Sequence, residues 1–90
     1  MRFLYIFSGS DTDGRIIGVE QREDGKLIVS TAPCIKDAAP DKAIGRAVCC
    51  VRSSAGQHSV MSLEELSAYV ERLGKERITP EALKMALGLP

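Results

Sequence analysis

Gly14-Arg-Ile-Ile-Gly-Val-Glu-Gln-Arg-Glu-Asp-Gly-Lys-Leu-Ile-Val-Ser-Thr31 decides the fold: two alternating, β-rich runs meet at Asp24-Gly25. Asp-Gly between such runs is a strong hairpin signal, because a type I′ turn needs positive φ at both central residues. The stretch therefore reads as an antiparallel hairpin of Arg15 to Arg22 and Lys26 to Thr31. Ile17 and Val19 share a face with Leu27, Val29 and Thr31, and that face is the expected core. The opposite face carries Ile16, Gly18, Glu20, Lys26, Ile28 and Ser30, a mixture that one layer of helices leaves partly open to solvent.

Upstream, Arg2 to Phe7 is apolar in both alternating sets, Phe3, Tyr5 and Phe7 against Leu4 and Ile6, which predicts a central strand covered on both sides. Ser8 to Gly14 then collects turn formers. Asp11, Asp13, Gly14, Ile16 and Glu20 align with most of a calcium-binding EF-hand loop. Gly9 stands at the first ligand position, however, and the flanks read as strands, so a hairpin loop is the better reading.

Downstream, Ala32 to Pro40 is a connector, and two readings compete for the next segment. As a helix capped by Asp41, residues 41–54 bring Ile44, Ala47, Val48 and Val51 to one face, with Ala55-Gly56 as the stop and Gly45 as a weak point. As a strand, Arg46 to Arg52 is a short apolar run to which Gln57 to Met61 returns as a hairpin. The helix is preferred. Ser62-Leu-Glu-Glu65 is a capping box that starts a helix with Leu63, Leu66, Val70 and Leu73 on its apolar face and Gly74 at its end. Thr79 and Pro80 open a last short helix through Leu83 and Leu87 to Gly88. The expected fold is one α+β domain over residues 1–90, a small antiparallel sheet built on the hairpin with two to three helices packed on one face.

At 90 residues, 44% hydrophobic and 27% charged, the chain has ordinary globular composition. Twelve basic residues balance twelve acidic ones, which argues against a surface built for nucleic acid. The aromatic residues are Phe3, Tyr5, Phe7 and Tyr69, so a base-stacking platform would rest on the first strand alone. No run approaches the roughly 18 apolar residues of a membrane span. Cys34, Cys49 and Cys50 form an odd set with two adjacent, unsuited to a disulfide framework or metal cluster, and the expected location is cytoplasmic.

The chemistry on offer is sparse. His58 is the single histidine, which limits general base catalysis and excludes a multi-histidine metal site. A Cys-His pair would need Cys34, Cys49 or Cys50 as nucleophile, and no context marks any of them as activated. Ser8-Gly-Ser10 lacks the lysine and second glycine of a phosphate-binding loop. Glu23-Asp24 and Glu64-Glu65 are explained by a turn and a cap. The reading that remains is a non-catalytic protein without cofactor or metal that presents a surface to a macromolecule.

A short, charge-balanced α+β chain with a Met-Arg-Phe-Leu-Tyr-Ile-Phe first strand, an Asp-Gly hairpin and a capped terminal helix resembles small phage- or mobile-element-encoded inhibitors of the anti-CRISPR kind. The resemblance implies a stoichiometric inhibitor, in the cytoplasm of a bacterial host, that binds a bacterial protein or ribonucleoprotein complex and blocks nucleic-acid processing. It carries over no functional residue. The expected docking surface, read from the hairpin itself, is Arg15, Ile16, Glu20, Arg22, Lys26 and Ile28, with isoleucines at the centre and both charge signs at the rim; a homodimer is a further expected form of assembly. The alternative is a nucleic-acid-binding regulator using Arg15, Arg22, Lys26, Arg46 and Arg52 as a basic stripe.

Overall fold

A computed structural model, which describes residues 1–7, 14–34, 39–74 and 77–89, places the hairpin at the centre of a four-stranded antiparallel sheet. Strands β1 (Arg2–Phe7), β2 (Gly14–Gln21) and β3 (Leu27–Cys34) follow one another, then helix α1 (Ala39–Ser54), the short strand β4 (Ser59–Met61), and helices α2 (Leu63–Gly74) and α3 (Pro80–Leu87). The strands lie in chain order, β1-β2-β3-β4. Among the described residues no helix is long and apolar enough to cross a membrane.

The α+β class is as expected, and so is the hairpin, but its turn is not the tight type I′ form. Gly25 N–H donates to the Arg22 carbonyl (3.0 Å), Arg22 N–H donates to the Lys26 carbonyl (2.8 Å), and Gly25 has φ 85°. This is the longer hairpin loop Glu23-Asp24-Gly25, in which a single left-handed residue after a β-turn restores the register. The Asp24 carboxylate adds an acceptor for Lys26 N–H at 3.0 Å.

The two sides of the sheet are both covered, which corrects the one-layer expectation. Ile17, Val19, Leu27 and Val29 pack with Ile6 against Leu66, Val70, Leu83 and Leu87 of α2 and α3. Ile16, Ala32 and Cys49 form a second, smaller cluster beneath α1, with Phe3 and Val48 against it. β1 is consequently an edge strand, not a central one. Its doubly apolar pattern arises because Leu4 and Ile6 serve the first cluster and Phe3 the second.

Residues 39–54 are helical, so the strand alternative for Arg46 to Arg52 falls, and β4 pairs with β3 instead, Val29 to Ser59 and Leu27 to Met61. The expected cap residue Asp41 lies inside α1, whose first residue is Ala39. The helix also presents a different side from the one its periodicity indicates. Gly45 and Cys49 face the sheet, and Ile44 and Val51 are exposed. The reason is steric: a Cβ at Gly45 would collide with the Ile16 side chain, and one at Gly18 would lie 3.1 Å from Cys49 Cβ and 3.2 Å from Ser30 Oγ. Two glycines, one on each element, permit a backbone approach that larger side chains would prevent.

The terminal helices start as their sequences dictate. Glu65 N–H donates to Ser62 Oγ at 3.1 Å and Ser62 N–H to Glu65 Oε1 at 3.2 Å, the reciprocal capping box. Thr79 Oγ1 accepts from Ala82 N–H, and Gly88, at φ 67°, closes α3 by donating to the Met85 carbonyl while Leu89 N–H reaches the Lys84 carbonyl. Buried Ser67 donates to the Ile78 carbonyl, tying α2 to the segment that leads into α3. The EF-hand alignment lies partly outside the described residues, at Gly9, Asp11 and Asp13. Its remainder, Gly14 to Glu20, is strand where the motif needs a helix to follow.

Candidate functional site

The residues expected to dock a partner are only partly brought together. Glu20, Arg22 and Ile28 line a shallow cleft of about 570 Å³ at the hairpin tip with Gln21, Glu23 and Asp24, and Lys26 sits in the adjoining turn. Arg22 is paired with Asp24 at 3.4 Å, both side chains about half exposed, a pair of small energetic value in water. Ile28 is half-buried. Ile16 is 0% exposed, sealed under α1, and cannot belong to any surface. Arg15 is exposed, but its alternation with Ile16 puts it on the α2/α3 side of the sheet, away from Glu20 and Ile28.

The basic stripe does not assemble either. Arg46 donates to Tyr5 Oη at 2.7 Å and Arg52 to the Thr31 carbonyl at 2.7 Å, both from α1, whereas Arg15 lies on the opposite face and Arg22 and Lys26 at the tip. Five cations on three parts of the surface form no continuous track for a phosphate backbone.

A more chemically varied site lies where β4 stops. β4 pairs with β3 only as far as Val29, and beyond that point the Arg52 guanidinium covers the exposed edge by bonding Thr31 O. An open cleft of about 540 Å³ occupies the gap. Arg52, Gln57, His58 and Tyr69 supply its polar lining, Val29 and Met61 its apolar floor. His58 Nδ1 lies 3.0 Å from the Ser53 carbonyl. A carbonyl only accepts, so Nδ1 carries the hydrogen and Nε2 keeps its lone pair in the neutral ring. The Arg72 guanidinium sits 5.8 Å from the Tyr69 ring centroid, placing a second cation beside the cleft. Sequence reasoning missed this site because its walls come from β3, the end of α1, the following loop, β4 and α2; its one visible signal was His58 two residues after the glycine stop at Gly56.

The outer side of α1 is the other distinctive surface. Ile44 and Val51 are 61% and 67% exposed. Ala43, Ala47, Cys50 and Ser54 are exposed beside them, so this side carries no charge between residues 43 and 54. A solvent-facing helix ordinarily puts its charged residues there; here Arg46 and Arg52 turn back onto the sheet. The two described thiols differ sharply. Cys49 is buried with its pKa pushed above the usual thiol value, first by desolvation and further by the neighbouring Cys50, despite lowering hydrogen bonds from Ser30 and Gly18. Cys50 is exposed. Among the described residues no group of three or more His, Cys, Asp or Glu side chains is placed to hold a metal ion. Compared with protein-family models, curated proteins and solved structures, the chain matches none of them.

Proposed function

We propose that the chain is a non-catalytic protein-binding module that docks through the outer side of α1, and that it acts as a stoichiometric inhibitor of the phage or mobile-element kind on a bacterial nucleic-acid-processing complex. The observation that carries the docking reading is the uncharged face with Ile44 and Val51 exposed on a helix whose other side is already buried. Two β-branched side chains left in water on the outside of a small domain contribute little to folding, and an uncharged patch with apolar groups at its middle is what the core of an interface needs. The inhibitor reading rests on the sequence resemblance and on the scattering of the cations, which disfavours direct capture of nucleic acid.

The test is retention of bacterial proteins on the immobilised chain, with and without nuclease, for wild type and for the double variant Ile44→Asp, Val51→Asp. The expected result is a partner retained after nuclease treatment and lost from the variant, while the variant melts at the wild-type temperature. Retention that disappears with nuclease and survives in the variant would instead favour the nucleic-acid-binding regulator.

A further inference from the structure

We propose that the cleft at the end of β4 binds a small organic phosphate monoester, with Arg52 holding the phosphate and Tyr69, Met61 and Val29 packing the organic body. This site is separate from the outer side of α1 and stands independently of the protein-binding reading. Three observations carry it. The first is charge: among the described lining residues Arg52 is the one formal charge and no carboxylate is present, so the cleft favours an anion. The second is geometry. Arg52 is fixed at one end by its bond to Thr31 O, which leaves the rest of a planar fork of N–H donors already oriented, and a phosphate accepts from such a fork in bidentate fashion. The Gln57 amide and Ser59 hydroxyl add donors at the same rim.

The third observation is size and lining. At about 540 Å³ the cleft falls within the range of small-molecule sites and exceeds what a bare phosphate ion fills. Its aromatic and aliphatic wall gives an organic group something to pack against. Capping the sheet edge accounts for a single N–H of Arg52 and leaves the others for the ligand.

The experiment is a titration followed by amide NMR at about pH 7.5, where a monoester is mainly the dianion, with phenyl phosphate, inorganic phosphate and phenol as separate probes. Phenyl phosphate is expected to shift the amides of Thr31, Gln57, His58 and Ser59 saturably, inorganic phosphate to bind about tenfold more weakly, and phenol to give no saturation. Arg52→Gln should lose at least about tenfold in affinity, as expected for a hydrogen-bonded charge, while Arg22→Gln at the hairpin tip leaves it unchanged. Should Arg52→Gln fail to fold, Arg52→Lys, which keeps the charge and loses the fork, carries the test and is expected to bind more weakly than wild type. Equal affinity in wild type and a folded Arg52 variant, or shifts centred on the hairpin tip, would overturn the proposal. Inorganic phosphate binding as tightly as phenyl phosphate would overturn it as well, because the organic body would then contribute nothing.

Discussion

The two faces of this sheet are held by different physics. On the α2/α3 side, large aliphatic side chains from five elements interlock: Ile6, Ile17, Val19, Leu27, Val29, Leu66, Val70, Leu83 and Leu87. On the α1 side the contact is made by small groups, Gly18, Ser30, Ala32, Gly45 and Cys49, with Ile16 as the single large fully buried side chain among the described residues. The first face gains stability from apolar area removed from water. The second gains it from close approach and from polar bonds between sheet and helix: Ser30 Oγ donates to the Cys49 carbonyl at 3.0 Å, and Cys49 Sγ reaches the Ile16 carbonyl at 3.6 Å. Large-to-small changes should therefore be costly on one face and small-to-large changes on the other.

The largest effect is expected from Leu66→Ala or Leu83→Ala, both fully buried in the aliphatic cluster. Each should destabilise the domain by about 2–5 kcal/mol, measured by urea titration, because transfer energy is lost and the residual cavity closes only in part. A domain of this size has a margin of the same order, so either variant is expected to be partly unfolded at 37 °C. A loss below about 1 kcal/mol would mean that this face is loosely packed and that the contrast between the faces is wrong.

Gly45→Ala reverses the usual sign of a helical substitution. Alanine inside a helix normally stabilises by about 1 kcal/mol relative to glycine. Here the new methyl meets the Ile16 side chain, and overpacking of about 1–3 kcal/mol should cancel or outweigh the propensity gain, for a net loss of up to about 2 kcal/mol. Ile16→Val removes the colliding Cδ1 and should recover part of that loss in the double variant, a non-additivity that denaturant titration of the four proteins reads directly. If Gly45→Ala stabilises, the close approach of α1 is not a constraint.

These two predictions also mark what was legible in the chain. The hairpin, the capping box at Ser62 and Glu65, and the Thr79-Pro80 start all rest on interactions within a few residues of sequence, so local rules suffice to find them. The position of α1 does not. Periodicity assigns Ile44 and Val51 to a core, yet the helix turns Gly45 and Cys49 inward, because the energy is decided by complementarity to Gly18 and Ile16, residues that lie far away in the chain. The same reason sealed Ile16 beneath a helix and split the expected docking set, leaving Glu20, Arg22, Lys26 and Ile28 at the tip. The Arg52 cleft was hidden for a related cause: it exists because β4 is shorter than β3, and strand length is the feature that local pattern determines least well.

A smaller effect is expected from Ser30→Ala. Its hydroxyl is the buried polar bridge between β3 and α1, and its removal should cost about 1 kcal/mol, near the net value of one hydrogen bond. The thiol below it provides a second measure of the same contact. In a Cys34→Ser background, iodoacetamide should label Cys50 rapidly and Cys49 only on unfolding, since Cys49 is buried and its thiolate is disfavoured. Equal labelling of both, read by peptide mass, would show that α1 lifts from the sheet easily and that small-residue packing holds it weakly.

The smallest effect on stability should come from the residues that look most like core. Ile44→Asp and Val51→Asp replace side chains that are already 61% and 67% exposed, and neither change buries a charge. Surface substitutions of this kind usually stay within about 0.5 kcal/mol, with aspartate's poorer helix propensity setting the direction of the loss. The pair of measurements separates two origins for the apolar side of α1. If these side chains were structural, the aspartates would unfold the domain as a core change does, and the packing of Gly45 against Ile16 would have to be abandoned. With the melting temperature preserved, Ile44 and Val51 are not needed by the fold, as a contact made outside it requires. The loss of partner retention in that folded variant would then be assigned to the missing contact and not to a damaged domain.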